Sequence, residues 1–167
     1  EFRRVLFRSG EIIESSCTIQ GDDGTDSTIP LGTYPTSLFN TVGKETALTE
    51  FSITLANCPL TSAGLPAVQL TFNGPTTLTK TKTLLDVSKI TTTGETAATG
   101  IGIAVSPAGK DDKLITMDGA EGQIYIELAT KSEDTIKADF NARYKSFADA
   151  VTAGPADADM TVNILYR

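Results

Sequence analysis

Short runs in which apolar and polar residues alternate recur along the chain from residue 10 onward. Phe51, Ile53 and Leu55 alternate with Ser52, Thr54 and Ala56. Val68, Leu70 and Phe72 alternate with Gln69 and Thr71, and Asn73 with Gly74 then turns the chain. Ile101, Ile103 and Val105 alternate with Gly102 and Ala104 before a turn at residues 107–109, and Ile124, Ile126 and Leu128 repeat the pattern. A strand sends successive side chains to opposite faces, so each run predicts a strand with one buried face. Gly, Pro, Asn, Asp and Thr separate the runs, as turns require. The pattern predicts an all-β domain built as a two-sheet sandwich.

The remaining segments are less regular. Ile13, Cys17 and Ile19 share one parity, and residues 21–24 make a turn. Ile29 and Leu31 follow, then Tyr34 to Phe39, with Pro35 as a breaker and a short helix expected after it. Residues 75–99 are rich in Thr, which suits exposed strand faces, with Leu84, Leu85 and Val87 as anchors. Leu114, Ile115 and Met117 precede a turn at Asp118 and Gly119. Ile136, Ala138, Phe140, Ala142 and Tyr144 alternate as a strand would, while Ile136, Phe140, Tyr144, Phe147 and Val151 fit a helix face. A strand through about Tyr144 agrees with its neighbours and is the expectation. Last, Gly154 and Pro155 introduce Ala158, Met160, Val162, Ile164 and Tyr166, a one-sided strand. Pattern alone fits either an ordinary edge strand closing a sandwich or a strand with a dedicated partner.

Composition narrows the function classes. The 167 residues, 40% of them apolar, suit one domain with a real core. The net charge of −7 with no long basic run argues against nucleic acid and against an anionic membrane surface. No apolar run approaches a membrane span. The absence of His removes Ser–His–Asp and Cys–His catalysis and the His-based zinc motifs together. Gly100 and Gly102 form half of a dinucleotide fingerprint, without the third glycine or a following helix. Asp22, Asp23 and Asp26 could hold calcium, but lack a closing bidentate Glu and read better as a solvated turn. Asp111 and Asp112, flanked by Lys110 and Lys113, also read as a solvated turn. No Trp is present to stack a sugar beside a carboxylate pair, so a glycosidase or other enzyme is a weak reading, and no cofactor or metal is expected.

Cys17 and Cys58 could be a buried free pair, half of a metal site or one disulfide. With no His for zinc, a disulfide fits best and implies an oxidising compartment. No signal peptide is visible, so the chain reads as mature or as lacking its start. Residues 1–9 stand apart: Arg3, Arg4 and Arg8 fall in a chain otherwise poor in arginine. The run Arg-Val-Leu-Phe-Arg-Ser also looks like a translated sequencing adapter, so a natural basic strand and a sequence scar both remain open.

From Gly10 to Arg167 the chain resembles the pilin subunits of chaperone–usher fimbriae, the type 1-like group of Gram-negative bacteria. Gly10-Glu11-Ile12-Ile13 leading to Cys17 looks like the family's first-strand motif, and Phe51-Ser52-Ile53-Thr54-Leu55-Ala56-Asn57-Cys58 like its second-cysteine motif. Phe72-Asn73-Gly74, Gly100-Ile101-Gly102-Ile103 and Phe140-Asn141-Ala142-Arg143-Tyr144 also match. Most specific are Gly154, at the family's glycine fourteen places from the C-terminus, and Tyr166, at its penultimate aromatic.

The resemblance implies an incomplete immunoglobulin-like β-sandwich that lacks its last strand and is completed by donor-strand complementation. It implies a pilin domain over residues 10–167, with residues 1–9 as donor-strand region or scar. The acceptor groove and chaperone-recognition residues would be Gly154, Met160, Val162, Ile164, Tyr166 and Arg167. Val5 and Phe7 alternate where the family's donor extension lies, but Leu6 breaks the pattern. The implied partners are neighbouring pilin subunits in a homopolymer, a periplasmic chaperone and an outer-membrane usher; the implied location is a fimbrium on the bacterial surface, reached through the periplasm. A minor tip or adaptor pilin and a self-contained adhesin domain are the alternatives, with a secreted β-sandwich hydrolase a weaker third.

Overall fold

Each clean alternating run becomes a strand. The computed structural model describes residues 17–22, 24, 26–60, 65–90, 94–130 and 135–166. Val5, Phe7 and Arg167, the first-strand motif at residues 10–13, and Asp23 of the acidic turn lie outside these. The strands are β1 (Thr18–Gln20), β2 (Thr49–Ala56), β3 (Ala67–Asn73), β4 (Leu85–Asp86), β5 (Ile101–Pro107), β6 (Ile124–Glu127), β7 (Ile136–Ser146) and β8 (Thr161–Leu165). They form two sheets, one ordered β1-β2-β7-β5-β4 and the other β6-β3-β8, with antiparallel pairing throughout. A single 3-10 turn, Thr36–Leu38, follows Pro35 as expected.

The core lies between the sheets. Val68, Leu70 and Phe72 of β3 face Phe140 of β7, and all four are 0% exposed. Phe140 meets Phe72 edge-on at 5.8 Å and stacks on Phe51 at 5.4 Å. Residues 136–146 are a strand because β2 and β5 pair with both of their edges, so backbone pairing overrides the helical spacing of their apolar residues.

One segment departs from expectation. The Thr-rich stretch at 75–99 is mostly turns, with β4 its only strand among the described residues. The hydroxyl of Thr79 explains part of this. It donates to the Leu84 carbonyl at 2.7 Å, and the Asp86 carboxylate accepts from the backbone amides of Leu78 and Thr79 at 3.0 Å. Such local bonds compete with a strand ladder. Ile115 and Met117 are buried but form no strand; their amides reach outward to the Val105 and Lys82 carbonyls.

Strand β5 is buried on both faces, and on the outer face of the sheet its neighbour β7, the central strand, carries a paired charge. Arg143, 2% exposed, donates to Ser106 Oγ at 2.6 Å, to Glu45 Oε1 at 3.1 Å and to the Asp111 carbonyl. Asn141 donates to the Asp111 carboxylate at 3.0 Å. Asp111 thus anchors the turn it was expected to solvate. Gly102 has a packing role: a Cβ there would lie 2.9 Å from the Leu85 carbonyl oxygen, inside the β4–β5 contact.

Cys17 and Cys58 form a disulfide that pins the start of β1 to the end of β2 across 41 residues of sequence. Closing a loop of that length stabilises the fold by about 4 kcal/mol in the chain-entropy treatment. Reduction should therefore lower the melting temperature by about 10 °C in differential scanning fluorimetry. An unchanged transition under dithiothreitol would refute that contribution.

Candidate functional site

Among the described residues, strand β8 has one neighbour. It pairs with β3 in a register that sets Leu70 opposite Ile164 and Phe72 opposite Val162. These residues share the inward face of one sheet, yet their burial differs. Leu70 and Phe72 are 0% exposed, whereas Val162 and Ile164, like Met160 and Tyr166, are half-buried and only partly packed against the core. β3 lies between two strands and under the opposite sheet. β8 is an edge, and beyond it the two sheets part.

The parting is a groove of about 830 Å³. Ala158, Met160 and Val162 form one wall. Ile19 of β1 and, beyond it, Ile29 and Leu31 form the other. The floor is Phe51, Ile53, Leu85, Ile103, Val105 and Ala142. The free edge of β8 runs along it, and an edge strand presents unpaired backbone N–H and C=O groups. An apolar trough beside such an edge can take an extended chain: the backbone pairs with β8 and alternate side chains enter the trough.

What holds β8 in place is the segment before it. The expected strand begins at Ala158, but the structure starts pairing to β3 only at Thr161. The preceding residues belong to the other sheet's side. Asp157 exchanges backbone hydrogen bonds with Ser88 at 2.7 and 2.9 Å, Ala98 donates to the Pro155 carbonyl at 2.9 Å, and Thr152 bridges Thr99. The chain thus crosses from one sheet to the other at residues 158–160, and that crossing closes one end of the groove. Tyr144 of β7 supports it by donating its hydroxyl to the Ala156 carbonyl at 2.8 Å and packing edge-on against Tyr34.

Gly154 lies in the segment that leads into this crossing, outside the groove lining. A Cβ on it would fall 2.2 Å from the Thr96 carbonyl oxygen and 2.8 Å from the Ala98 nitrogen, both backbone atoms. The glycine lets residues 152–157 lie flat against residues 96–98. Of the residues implicated from sequence, Met160 and Val162 line the groove; Ile164 and Tyr166 continue the same half-buried face beyond it. The opposite wall escaped the sequence reading. Ile29 and Leu31 did show the right alternation, but no regular strand frames them.

The site holds no reaction machinery that the described residues reveal. Among them, no three acidic or sulfur side chains cluster as metal ligands would. Hydrogen bonding by Ser52 and the charge of Lys137 hold the Asp139 carboxyl below the usual range, outside the groove floor.

The description "Fimbrial protein" applies to the family that matches residues 8–167. The chain belongs to the fimbrial protein family. It is 38% identical to a type-1 fimbrial protein subunit of Serratia marcescens over 161 residues, covering 95% of this chain and 84% of the relative. A type 1 fimbrial subunit of Salmonella typhimurium is 33% identical over 158 residues, covering 95% and 80%. Among solved structures, the P pilus rod subunit PapA superposes with a TM-score of 0.68 at 26% identity, covering 90% of this chain and 99% of the other. A chaperone–usher pilus structure superposes with a TM-score of 0.63 at 25% identity, covering 100% and 96%. This fimbrial subunit therefore has the incomplete immunoglobulin-like sandwich of chaperone–usher pilins, a family of structural proteins rather than enzymes.

Two outcomes follow from the crossing. Gly154→Ala should destabilise the subunit by about 1–3 kcal/mol through overpacking, read as a lower urea midpoint; an unchanged midpoint would remove the packing role. Burial, reinforced by Asp157 and Tyr34, raises the Tyr144 hydroxyl above its ordinary value near 10. The protonated form is thus favoured in the fold. Its contribution is intact below pH 10 and lost as pH rises through the folded-state value. Tyr144→Phe should cost about 1 kcal/mol at neutral pH, and the gap from wild type should narrow above pH 10. A gap constant from pH 7 to pH 11 would contradict this.

Proposed function

We propose that this chain is a structural subunit of a surface fimbria and polymerises head-to-tail by strand donation into the groove beside β8. The carrying observation is the contrast in burial across one ladder: Phe72 and Leu70 are sealed while their partners Val162 and Ile164 are half-open. A strand inserted there would seal the second pair, satisfy the β8 edge and complete the sandwich. In the cell the first occupant would be a strand of a periplasmic chaperone, replaced at an outer-membrane usher by the N-terminal region of the next subunit. Val5 and Phe7 are the alternating residues of this chain in that region. Head-to-tail donation does not close on itself, so it gives a fibre. The likeness to the PapA rod subunit over nearly the whole of both chains favours a repeated rod subunit over a single tip protein.

The proposal is tested by Val162→Glu in fimbriate cells. A carboxylate on the groove wall would be buried unpaired beneath the inserted strand, at a cost of several kcal/mol. The variant should give no heat-sensitive ladder in gels of unboiled surface extracts, where wild type gives one that collapses to monomer on boiling. A normal ladder from the variant would refute the groove as the assembly site.

A further inference from the structure

The groove's apolar floor does not distinguish one alternating strand from another, but its rim carries charge of one sign. Asp26 stands among the residues of the wall contributed by residues 26–31, and Asp159 stands in the crossing that leads to β8. Both are exposed. Among the described residues neither carboxylate has an ion pair, in contrast to Glu45, Asp118 and Asp139, which are paired with Arg or Lys. Among the described residues no Lys or Arg lines the groove; its other polar lining residues, such as Gln20, Thr28 and Thr161, are neutral. The surroundings share this sign. Residues 1–9 hold three Arg and one Glu, so residues 10–167 carry −9, two more than the −7 of the whole chain.

We infer that the groove selects its occupant by charge: it takes an extended strand whose inward residues are apolar and whose outward residues, at the positions beside Asp26 and Asp159, are basic rather than acidic. The inference rests on the strand-acceptor function proposed above and adds a chemical class of partner to it. In an inserted strand, alternate side chains leave the floor and reach the rim, where Asp26 and Asp159 wait unpaired. A cation there gains two attractions, and an acid meets two repulsions. Charges at a rim act mainly on encounter and on discrimination between partners, and salt screens them. The basic residues Arg3, Arg4 and Arg8 give residues 1–9 the complementary sign.

The test uses the full chain and two fluorescent synthetic peptides of opposite charge, with a neutral third as control. All carry the same alternating Val and Ile face; the charged pair has Lys or Glu at every outward position and the control has Gln. Fluorescence anisotropy at low salt should show the Lys peptide binding about tenfold more tightly than the Glu peptide. The preference should shrink to about twofold or less in 0.5 M sodium chloride. It should shrink likewise in the double variant Asp26→Asn, Asp159→Asn, which removes both rim charges and leaves the apolar floor in place. Equal affinities for the two peptides, or a preference that survives in the double variant, would overturn the charge selection while leaving the acceptor groove standing. Failure of both peptides and of the Gln peptide to bind folded protein would overturn the acceptor groove and the selection with it.

Discussion

The constraint on which the rest of this structure turns is that, among the described residues, β8 has only one hydrogen-bonding neighbour. Backbone N–H and C=O groups must find partners, and a strand edge exposes a row of them. Most proteins shorten, charge or cover such an edge. Here the edge is kept straight over Thr161–Leu165 and set beside an apolar trough. Hydrophobic burial would favour collapse of the two sheets onto that trough. Several features oppose it. The disulfide fixes β1 to β2, and thereby the start of the far wall. The bonds from Asp157 to Ser88 and from Ala98 to Pro155 fix the crossing that leads into the near wall. The groove is thus held open because its far wall is tied to the five-stranded sheet, while its near wall pairs with β3 in the other sheet and is tethered by the crossing.

That rigidity has an electrostatic element. Arg143 is nearly inaccessible, and a lone buried cation would cost several kcal/mol. Its contacts with Glu45, Ser106 and the Asp111 carbonyl compensate, and they join β7 to β5 and bind two loop segments to them, the strands that supply Ile103, Val105 and Ala142 to the groove floor. The polar outer face of the five-stranded sheet and the apolar trough on its inner face are therefore one construction. Loosening the first would let the second deform.

The sequence made much of this legible. Period-two alternation located β2, β3, β5, β6 and β7, and the fit of their order to one fold class came from the motifs around Cys17, Cys58, Phe140 and Tyr166. Alternation also marked the groove wall at Met160 and Val162. What it could not show was contact across the fold. Gly154 stands out in the sequence through the family's glycine position; its contact with three backbone atoms at residues 96–98, far away in sequence, is visible only in the fold. The Thr-rich stretch misled because β propensity measures fit to a sheet face, while Thr79 uses its hydroxyl to hold a turn. Ile29 and Leu31 passed unremarked as a wall because nothing local distinguishes a groove wall from a buried loop.

Affinity and choice of partner are separable in this geometry, and magnitudes decide which feature does which. Each apolar side chain seated on the floor contributes about 1.5–3 kcal/mol, so three or four of them dominate binding. Any strand with the right alternation would gain that, because the floor of Phe51, Ile53, Leu85, Ile103, Val105 and Ala142 is uniformly apolar. A rim charge contributes about 0.2–1 kcal/mol when exposed, too little to hold a strand in place. It is still enough to rank two strands that fit the floor equally well, and to do so before either is seated. Asp26 and Asp159 are exposed residues of the groove lining, apart from its apolar floor. The floor can therefore be generic without making the groove indiscriminate.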